Sequence, residues 1–242
     1  MYRQIADALK AAIDAGQYGP GDRLPGENPL AAEHGVAVMT ARQALRTLAS
    51  EGVAEPRKGA GFFVLAPFKP IRWHGIARLA REQWGSGASI FSADDSRPLT
   101  VEADVLGAVT APDAVVEVLQ LRTGERAFAR SRRHLVEGRP VLVSTSYLPL
   151  DLAEGTPIAS VDTGPGGIYA RLADQGVAPE HFREEIQIRT PSDDEMAALN
   201  LSGGTAVIKL CRTAYTADGR AVEVNDITMD SQAYVLEYNF DA

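Results

Sequence analysis

Two short stretches of this chain hold side chains whose type and spacing suit contact with a polyanion. In VMTARQALRTLAS (38–50), Ala41, Ala44, Leu45 and Leu48 recur at i, i+3, i+4 and i+7. A helix that buries this stripe turns Thr40, Arg42, Gln43, Arg46 and Thr47 away from the core. Arg42 and Arg46 then lie one turn apart on one face, with Gln43 beside them. Arginine pairs bidentately with guanine O6 and N7, and glutamine with adenine N6 and N7, so this face suits the major groove of DNA. Taken alone, such a helix has a bland alternative, a solvated surface face. A second feature follows it. Arg57 and Lys58 sit in the glycine-rich turn PRKGAG (56–61), where a cationic tip reaches phosphate or the minor groove. A basic helix followed by a basic turn favours nucleic acid.

No other constellation offers chemistry of comparable specificity. The four histidines (34, 74, 134 and 181) are scattered, and none pairs with Cys211 at zinc spacing, so no metal is expected. Asp193-Asp194-Glu195 at a helix start reads as capping and dipole complementation. Gly164-Pro165-Gly166-Gly167 lacks a nucleotide-binding pattern and reads as a loop. No nucleophile–base pair is visible, and no cofactor is expected. The single cysteine cannot form an intrachain disulfide and fits a reducing cytoplasm. No run of 18 apolar residues exists and the N-terminus lacks a signal-peptide pattern, so no membrane partner is expected. The formal charge of −8, averaged over the chain, argues against a DNA partner, but it is unevenly placed. Residues 1–65 hold seven Lys+Arg against seven Asp+Glu, and with +3 over 66–90 the remaining −11 falls on residues 91–242. In a neutral N-terminal part, the placement of arginine matters more than the total.

The elements that position these residues follow from periodicity and turn signals. Ile5, Leu9, Ala12 and Ile13 predict a first helix that ends at Gly16. Asn28 as N-cap and Pro29 at the first helical position predict a short second helix, ending near His34-Gly35. The third helix opens after Val38 and runs to Gly52. Residues 53–55 and 62–65 then form a hairpin around the basic turn. Three helices and a hairpin make a winged helix-turn-helix over residues 1–65. A linker with a short helix (Ile76 to Trp84) spans 66–89, and an α+β domain spans 90–242. Trp73 and Trp84 are expected to pack between the domains, with stacking on a small molecule as the alternative. Thr110 is read as the cap of a helix over Asp113–Leu119, and Ser192 with Glu195 as a capping box. Two hairpins stand out, Phe128–Leu135 with Val141–Tyr147 and Ala206–Tyr215 with Ala221–Thr228. Their turns are alike, EGRPVLV (137–143) and DGRAVEV (218–224), which fits either an old duplication or two hairpins with the same turn chemistry. Neighbouring hairpins predict one antiparallel sheet, with Ile168–Asp174 and Asp193–Leu199 as helices against it.

Residues 4–64 resemble the DNA-binding domain of GntR-family bacterial transcription regulators. The resemblance is carried by PGDRLPGE (20–27), HGV (34–36), TARQAL (40–45), LASEGV (48–53) and KGAGFFV (58–64), in that order. It implies DNA contacts at Thr40, Arg42, Lys58 and Gly59, with Arg42 clamping a base or nearby phosphate and the Gly59 N–H against the duplex. Ala37-Val38 stand where the family usually has Ser-Arg, and Asn28 where Arg or Glu often follows the LPGE stretch (24–27). These departures imply a shifted operator sequence. The DNA-contact candidates are thus Asn28, Thr40, Arg42, Gln43, Arg46, Arg57, Lys58 and Gly59.

Residues 90–238 resemble the UTRA domain of the HutC-like subfamily. The marks are the Arg-rich strand before EGRP (137–140), Tyr147-Leu148-Pro149, GGIYARLADQGV (166–177) and DGRAVEVND (218–226). This implies a chorismate-lyase-like fold with an effector pocket between sheet and helices, lined by Arg132, His134, Ser144, Gly167 and Glu223. His134 stands where a second Arg is common, Ser144 where Glu is common and Gly167 where Ser is common, which disfavours a phosphosugar. Arg132 still suits an anionic group. The bland alternative for Arg132 and Glu223 is a pair of exposed cross-strand charges.

The combined expectation is an α+β protein, an N-terminal winged helix-turn-helix joined to a C-terminal chorismate-lyase-like (UTRA) antiparallel sheet with flanking helices. It is expected to be a cytoplasmic transcription regulator and a repressor, not an enzyme. It would bind an inverted-repeat operator in double-stranded DNA as a homodimer and respond to a small-molecule effector. The alternative is a chorismate-lyase-like small-molecule enzyme with the N-terminal domain as scaffold, which the missing catalytic set argues against.

Overall fold

The computed structural model describes residues 1–91, 94–201 and 204–240. The chain divides into two compact units, one over Met1–Lys69 and one over Pro70–Leu201 with Ala206–Ala242.

The first unit contains helices α1 (Tyr2–Asp14), α2 (Glu27–His34) and α3 (Val38–Ser50), and strands β1 (Ala54–Arg57) and β2 (Gly61–Val64). The helices meet along the stripes that periodicity predicts. Ile5 and Leu9 of α1, Leu30 of α2, and Ala41, Leu45 and Leu48 of α3 form one buried cluster with Ala54 and Val64 of the hairpin. Each large apolar side chain buried here contributes about 2 kcal/mol. Gly35 ends α2 in the left-handed conformation at φ 61°. The start of α2 departs from expectation. Gly26 occupies the N-cap position without a side-chain cap, and the helix begins at Glu27. Asn28 is therefore inside the first turn and caps nothing, and Pro29 is tolerated there because first-turn N–H groups have no helical partner. The β1–β2 hairpin pairs Ala54 with Val64 and Arg57 with Gly61, leaving Lys58, Gly59 and Ala60 as the tip.

The second unit is a six-stranded antiparallel sheet with helices on both faces. In chain order it contains β3 (Ile71–Trp73), a 3-10 turn (Gly75–Leu79), α4 (Arg81–Gly85), β4 (Leu99–Val109), α5 (Asp113–Val118), β5 (Ala127–Val136), β6 (Arg139–Pro149) and α6 (Leu150–Ala153). A second 3-10 turn (Pro157–Ala159), α7 (Gly167–Asp174), β7 (His181–Arg189), α8 (Asp193–Leu199), β8 (Val207–Tyr215), β9 (Ala221–Asp230) and β10 (Tyr234–Leu236) follow. The strand order is β4-β5-β6-β9-β8-β7, and β3 pairs in parallel with β10 in a separate ribbon. Both predicted hairpins form and lie side by side through β6 and β9. Their turns are not the same. Glu137 and Gly138 are both left-handed in the first, whereas in the second only Gly219 is.

Three local expectations are corrected. The helix predicted over 76–84 is broken at Ala80, whose backbone is extended. The Trp84 indole N–H donates to the Leu79 carbonyl at 3.0 Å, so a bond that a continuous helix would make through its backbone is replaced by a buried side chain. Thr110 caps nothing, because α5 begins after Pro112 with no side-chain cap. Trp73 and Trp84 pack inside the second unit, Trp73 against Phe91 and Tyr234 and Trp84 against Tyr169. The edge strands β4 and β7 were not anticipated, although Val101, Ala103 and Val105, and Phe182, Ile186 and Ile188, carry the period-2 signal.

The Ser192–Glu195 capping box forms as expected. Glu195 also accepts two bonds from Arg189 at 2.7 Å and one from the Thr228 hydroxyl at 3.0 Å, tying α8 to β7 and β9. The Arg189 hydrogen bonds hold the Glu195 carboxyl down at about 2, outweighing the opposing effect of burial. A depressed carboxyl stabilises the fold fully above its unfolded value near 4.5, and the contribution is lost as pH falls towards 2. Urea denaturation between pH 5 and pH 2 should show a loss of stability that Glu195→Gln flattens. Identical pH profiles for the two proteins would refute this assignment.

Candidate DNA-binding face and effector cavity

On α3 the buried stripe leaves Gln43 and Arg46 exposed and Thr40 and Arg42 half-buried. Arg42 is not a free side chain. Its Nε donates to Glu27 Oε1 at 2.8 Å and its Nη2 to Glu27 Oε2 at 2.7 Å, a bidentate pair between α2 and α3. The Arg42 hydrogen bonds pull the Glu27 carboxyl below its usual value, and the nearby Arg46 charge adds to this. Glu27, Arg42, Arg46, Pro56 and Phe62 line one shallow hollow, so the basic face of α3 and the hairpin stand on the same side of this unit. At the hairpin, Arg57 lies over the Phe63 ring at 4.3 Å and donates to Glu55 at 2.8 Å. Lys58 and Gly59 are exposed at the tip, Gly59 with φ 74°. Asn28 is exposed on α2. Glu27 escaped notice in the sequence because its partner lies fifteen positions away; the motif PGDRLPGE contained it without indicating a role.

In the second unit the pleat sets the site. Successive side chains of a strand point to opposite faces, so Arg130, Arg132 and His134 of β5 share a face. Register extends that face across the sheet: Arg132 lies opposite Ser144 on β6, Ser146 opposite Asn225 on β9, and Asn225 opposite Arg212 on β8. The start of α7 and the segments over 87–91 and 161–166 close over this surface, leaving a cavity of about 410 Å³. Arg132, His134, Ser144, Gly167 and Glu223 all line it. The alternative of exposed surface charges does not hold, since Glu223 is only 2% exposed and Arg132 is half-buried.

The polar groups of this cavity are incompletely partnered within the protein. Among the described residues Arg132 makes no side-chain hydrogen bond or ion pair; burial lowers its pKa, and the Glu223 carboxylate partly offsets this. His134 is 2% exposed, and neither ring nitrogen has a hydrogen-bond partner. The Phe91 ring meets it edge-on with centroids 4.0 Å apart. Burial pushes the His134 pKa down to about 3, helped by the charges of Arg132 and Arg78, so the ring is neutral at pH 7. Oε2 of Glu223 and Oδ1 of Asn225 are buried and also lack partners. Gly167 has φ 65°, and a Cβ there would meet nothing within 4 Å. A serine would find space at this position but at the cost of backbone strain.

Sequence reading also did not reach the cavity residues Tyr169, Arg212 and Asn225. Arg212 is buried, with Nη1 4.0 Å from Glu184 Oε1. Burial opposes its charge, but Tyr169, Glu223 and Glu184 outweigh that and its pKa is raised. The Tyr169 hydroxyl lies beside Arg212 and Glu223 without hydrogen-bond geometry to either, and burial raises its pKa. Alternation along β8 and β9 put Arg212 and Asn225 on definite faces, but only strand pairing shows that these faces meet Arg132. Among the described residues no group of three or more His, Cys, Asp or Glu could hold a metal, and no helix is long and apolar enough to cross a membrane.

Comparison with known proteins agrees with this architecture. Residues 1–64 match the bacterial regulatory proteins of the gntR family, and residues 96–235 match the UTRA domain. An uncharacterised HTH-type transcriptional regulator of Streptomyces coelicolor is 32% identical over 231 residues, covering 92% of this chain and 86% of the relative. The HTH-type transcriptional repressor NagR of Bacillus subtilis is 25% identical over 92% of this chain and 87% of its own. The crystal structure of PhnF from Mycobacterium smegmatis has the same fold, with a TM-score of 0.56 at 24% identity over 98% of this chain and 99% of that one. The fold and its two domains define a transcription regulator with a ligand-binding C-terminal domain, not an enzyme. The chain belongs to the GntR family and carries a UTRA domain.

A buried neutral His134 has a spectroscopic consequence. Its ring resonances should not titrate between pH 5 and pH 8 in two-dimensional NMR spectra assigned with His134→Asn. Because its folded pKa lies below the unfolded value of 6.5, it should lower stability as pH falls below 6.5, since only the unfolded chain takes up the proton. A titration midpoint above 5 for this ring would contradict the burial argument.

Proposed function

We propose that the protein is a cytoplasmic repressor that binds an inverted-repeat operator as a homodimer and is released by a small molecule held in the 410 Å³ cavity. The single observation that carries the effector part is the convergence of five separate sequence positions, with partnerless buried polar atoms, on one cavity. The DNA part is supported by the common side on which Arg42, Arg46 and the hairpin stand. A relative named as a transcriptional repressor favours the sign of regulation. In this reading residues 1–65 bind DNA, 66–89 link, and 90–242 bind effector and dimerise. Two copies related by a two-fold axis match two half-sites. Effector and operator must favour different states of the dimer, since a ligand with equal affinity for both shifts nothing.

Within the DNA-binding face, Arg42 and Arg46 with Gln43 and Thr40 meet base edges and nearby phosphates. Lys58, Arg57 and the Gly59 N–H meet the backbone, and Asn28 flanks the site from α2. Glu27 gives Arg42 a fixed direction before DNA arrives, which spares ordering cost on binding. The cavity residues Arg132 and Glu223 hold the effector, with His134, Ser144 and Gly167 shaping its fit. Lacking a second cation at 134, the site excludes phosphorylated amino sugars as inducers.

Fluorescence anisotropy with genomic fragments tests the DNA reading. Arg42→Ala should weaken operator binding about 10- to 100-fold with an unchanged circular dichroism spectrum. Lys58→Ala should weaken all sequences alike and reduce the salt slope by about one unit. Equal affinity of Arg42→Ala and wild type would remove Arg42 from the interface. For the cavity, Arg132→Ala and Glu223→Ala should bind operator normally yet resist release by the inducer. Normal release of both variants would move the effector elsewhere.

A further inference from the structure

We propose that the cavity selects a small hydroxy or amino acid: one carboxylate, a neighbouring hydroxyl or amino group, and an apolar side chain. This deepens the effector reading above and rests on it. Three sets of observations lead here.

The first is the number of cations left for a ligand. Arg130 already donates from Nη1 to the Ile158 carbonyl and from Nη2 to the Val161 carbonyl, each at 2.7 Å, and so holds the loop beside the cavity. The Arg212 charge faces Glu184 and Glu223. His134 adds no positive charge. Its buried ring, edge-on to Phe91, offers one N–H donor and one acceptor. Of the two arginines that line the cavity, Arg212 has its charge balanced by the Glu184 and Glu223 carboxylates, although its Nε and Nη1 make no hydrogen bond. Arg132 makes no side-chain hydrogen bond or ion pair among the described residues, and its planar fork matches a carboxylate. A doubly charged phosphomonoester would bury a charge with no counterpart.

The second is the presence of empty acceptors. Glu223 Oε2 and Asn225 Oδ1 are buried and partnerless, and such atoms are costly unless something donates to them. A ligand made only of acceptors would face the Glu223 carboxylate with like charge. A hydroxyl or amino group satisfies these atoms while the carboxylate meets Arg132, whose charge and that of Glu223 act on each other across β6.

The third is the apolar wall. Leu99, Val101 and Val161 line the cavity and remain 39%, 43% and 61% exposed, with Ile90 and Phe91 beside them. An apolar ligand side chain removes that surface from water.

The test is isothermal titration of the full chain with a matched probe series. Mandelate and phenylglycine carry all three features. Phenylacetate lacks the donor, mandelamide lacks the charge, and glucosamine 6-phosphate is a polar dianion. Mandelate or phenylglycine should bind at least about tenfold more tightly than phenylacetate and mandelamide, the effect of one buried hydrogen bond or ion pair. Arg132→Gln should abolish the preference over mandelamide, and Glu223→Met, which removes the acceptor, the preference over phenylacetate. These paired readouts do not depend on either variant being as stable as wild type. Equal binding of phenylacetate or mandelamide, tighter binding of glucosamine 6-phosphate, or no binding by any probe at 10 mM would each overturn the ligand class. If glucosamine 6-phosphate binds and Arg132→Gln abolishes it, the cavity remains the effector site and only the class falls. If every probe that binds is indifferent to both substitutions, the cavity reading itself falls.

Discussion

The structure of the second unit depends on the pairing of β6 with β9. That ladder joins two hairpins, each stable only as part of a larger sheet, into one surface. Because strand side chains alternate with a period of two, a slip of one residue in this register would turn Asn225 and its neighbours to the opposite face. It would also carry Arg212 and Glu184 away from Arg132, since β8 and β7 are hydrogen-bonded in sequence to β9. The burial pattern resists such a slip. Ile227 and Met229 are buried and alternate with Asp226, Thr228 and Asp230, with which a slip would exchange them. The same apolar packing that holds the sheet together therefore sets which charged groups share the cavity.

Buried charge is handled differently beside the cavity and within it. Outside the cavity, Arg78 is fully buried, paired with Asp94 Oδ2 at 2.8 Å and stacked over Trp73 at 3.5 Å. Burial lowers its pKa to about 10, opposed by Asp94, so the guanidinium stays charged at neutral pH. Breaking such a pair leaves an uncompensated charge, which favours one arrangement of the segment between β3 and β4. Within the cavity, by contrast, polar atoms of His134, Glu223 and Asn225 are buried without partners. Groups of that kind cost stability, and a site for a polar ligand is a physical reason for keeping them.

The first unit shows how a weakly charged domain gathers its cationic side chains on one face. Its bases and acids balance over residues 1–65, so any local positive field comes from their placement. One carboxylate, Glu27, fixes Arg42, while Arg46 and Lys58 are exposed on the α3 face and the hairpin tip. In the proposed reading, the acidity of residues 91–242 disfavours contact of the other unit with phosphates, which leaves the helix and hairpin to dock.

Local periodicity and turn chemistry made much of the fold legible: the stripe of α3, the αL glycine after α2, the two hairpins and the Ser192–Glu195 box all follow from neighbours within four residues. Where a nearby signal competed with a tertiary contact, the local reading failed, as at Asn28, at Thr110 and at the break before Trp84. The edge strands β4 and β7 carry a period-2 alternation that is readable along the chain. Of the cavity, five positions came from resemblance to the UTRA domain, and all five line one space in the structure. The sequence by itself determined which residues form helices and hairpins and which face of each is apolar, because those properties depend on spacing along the chain. Only the tertiary structure decided that Glu27 holds Arg42, that Arg212, Tyr169 and Asn225 join Arg132, and that His134 is buried without a partner. Those facts arise from strand register and helix docking between residues far apart in sequence, where the outcome is set by the packing of the whole core.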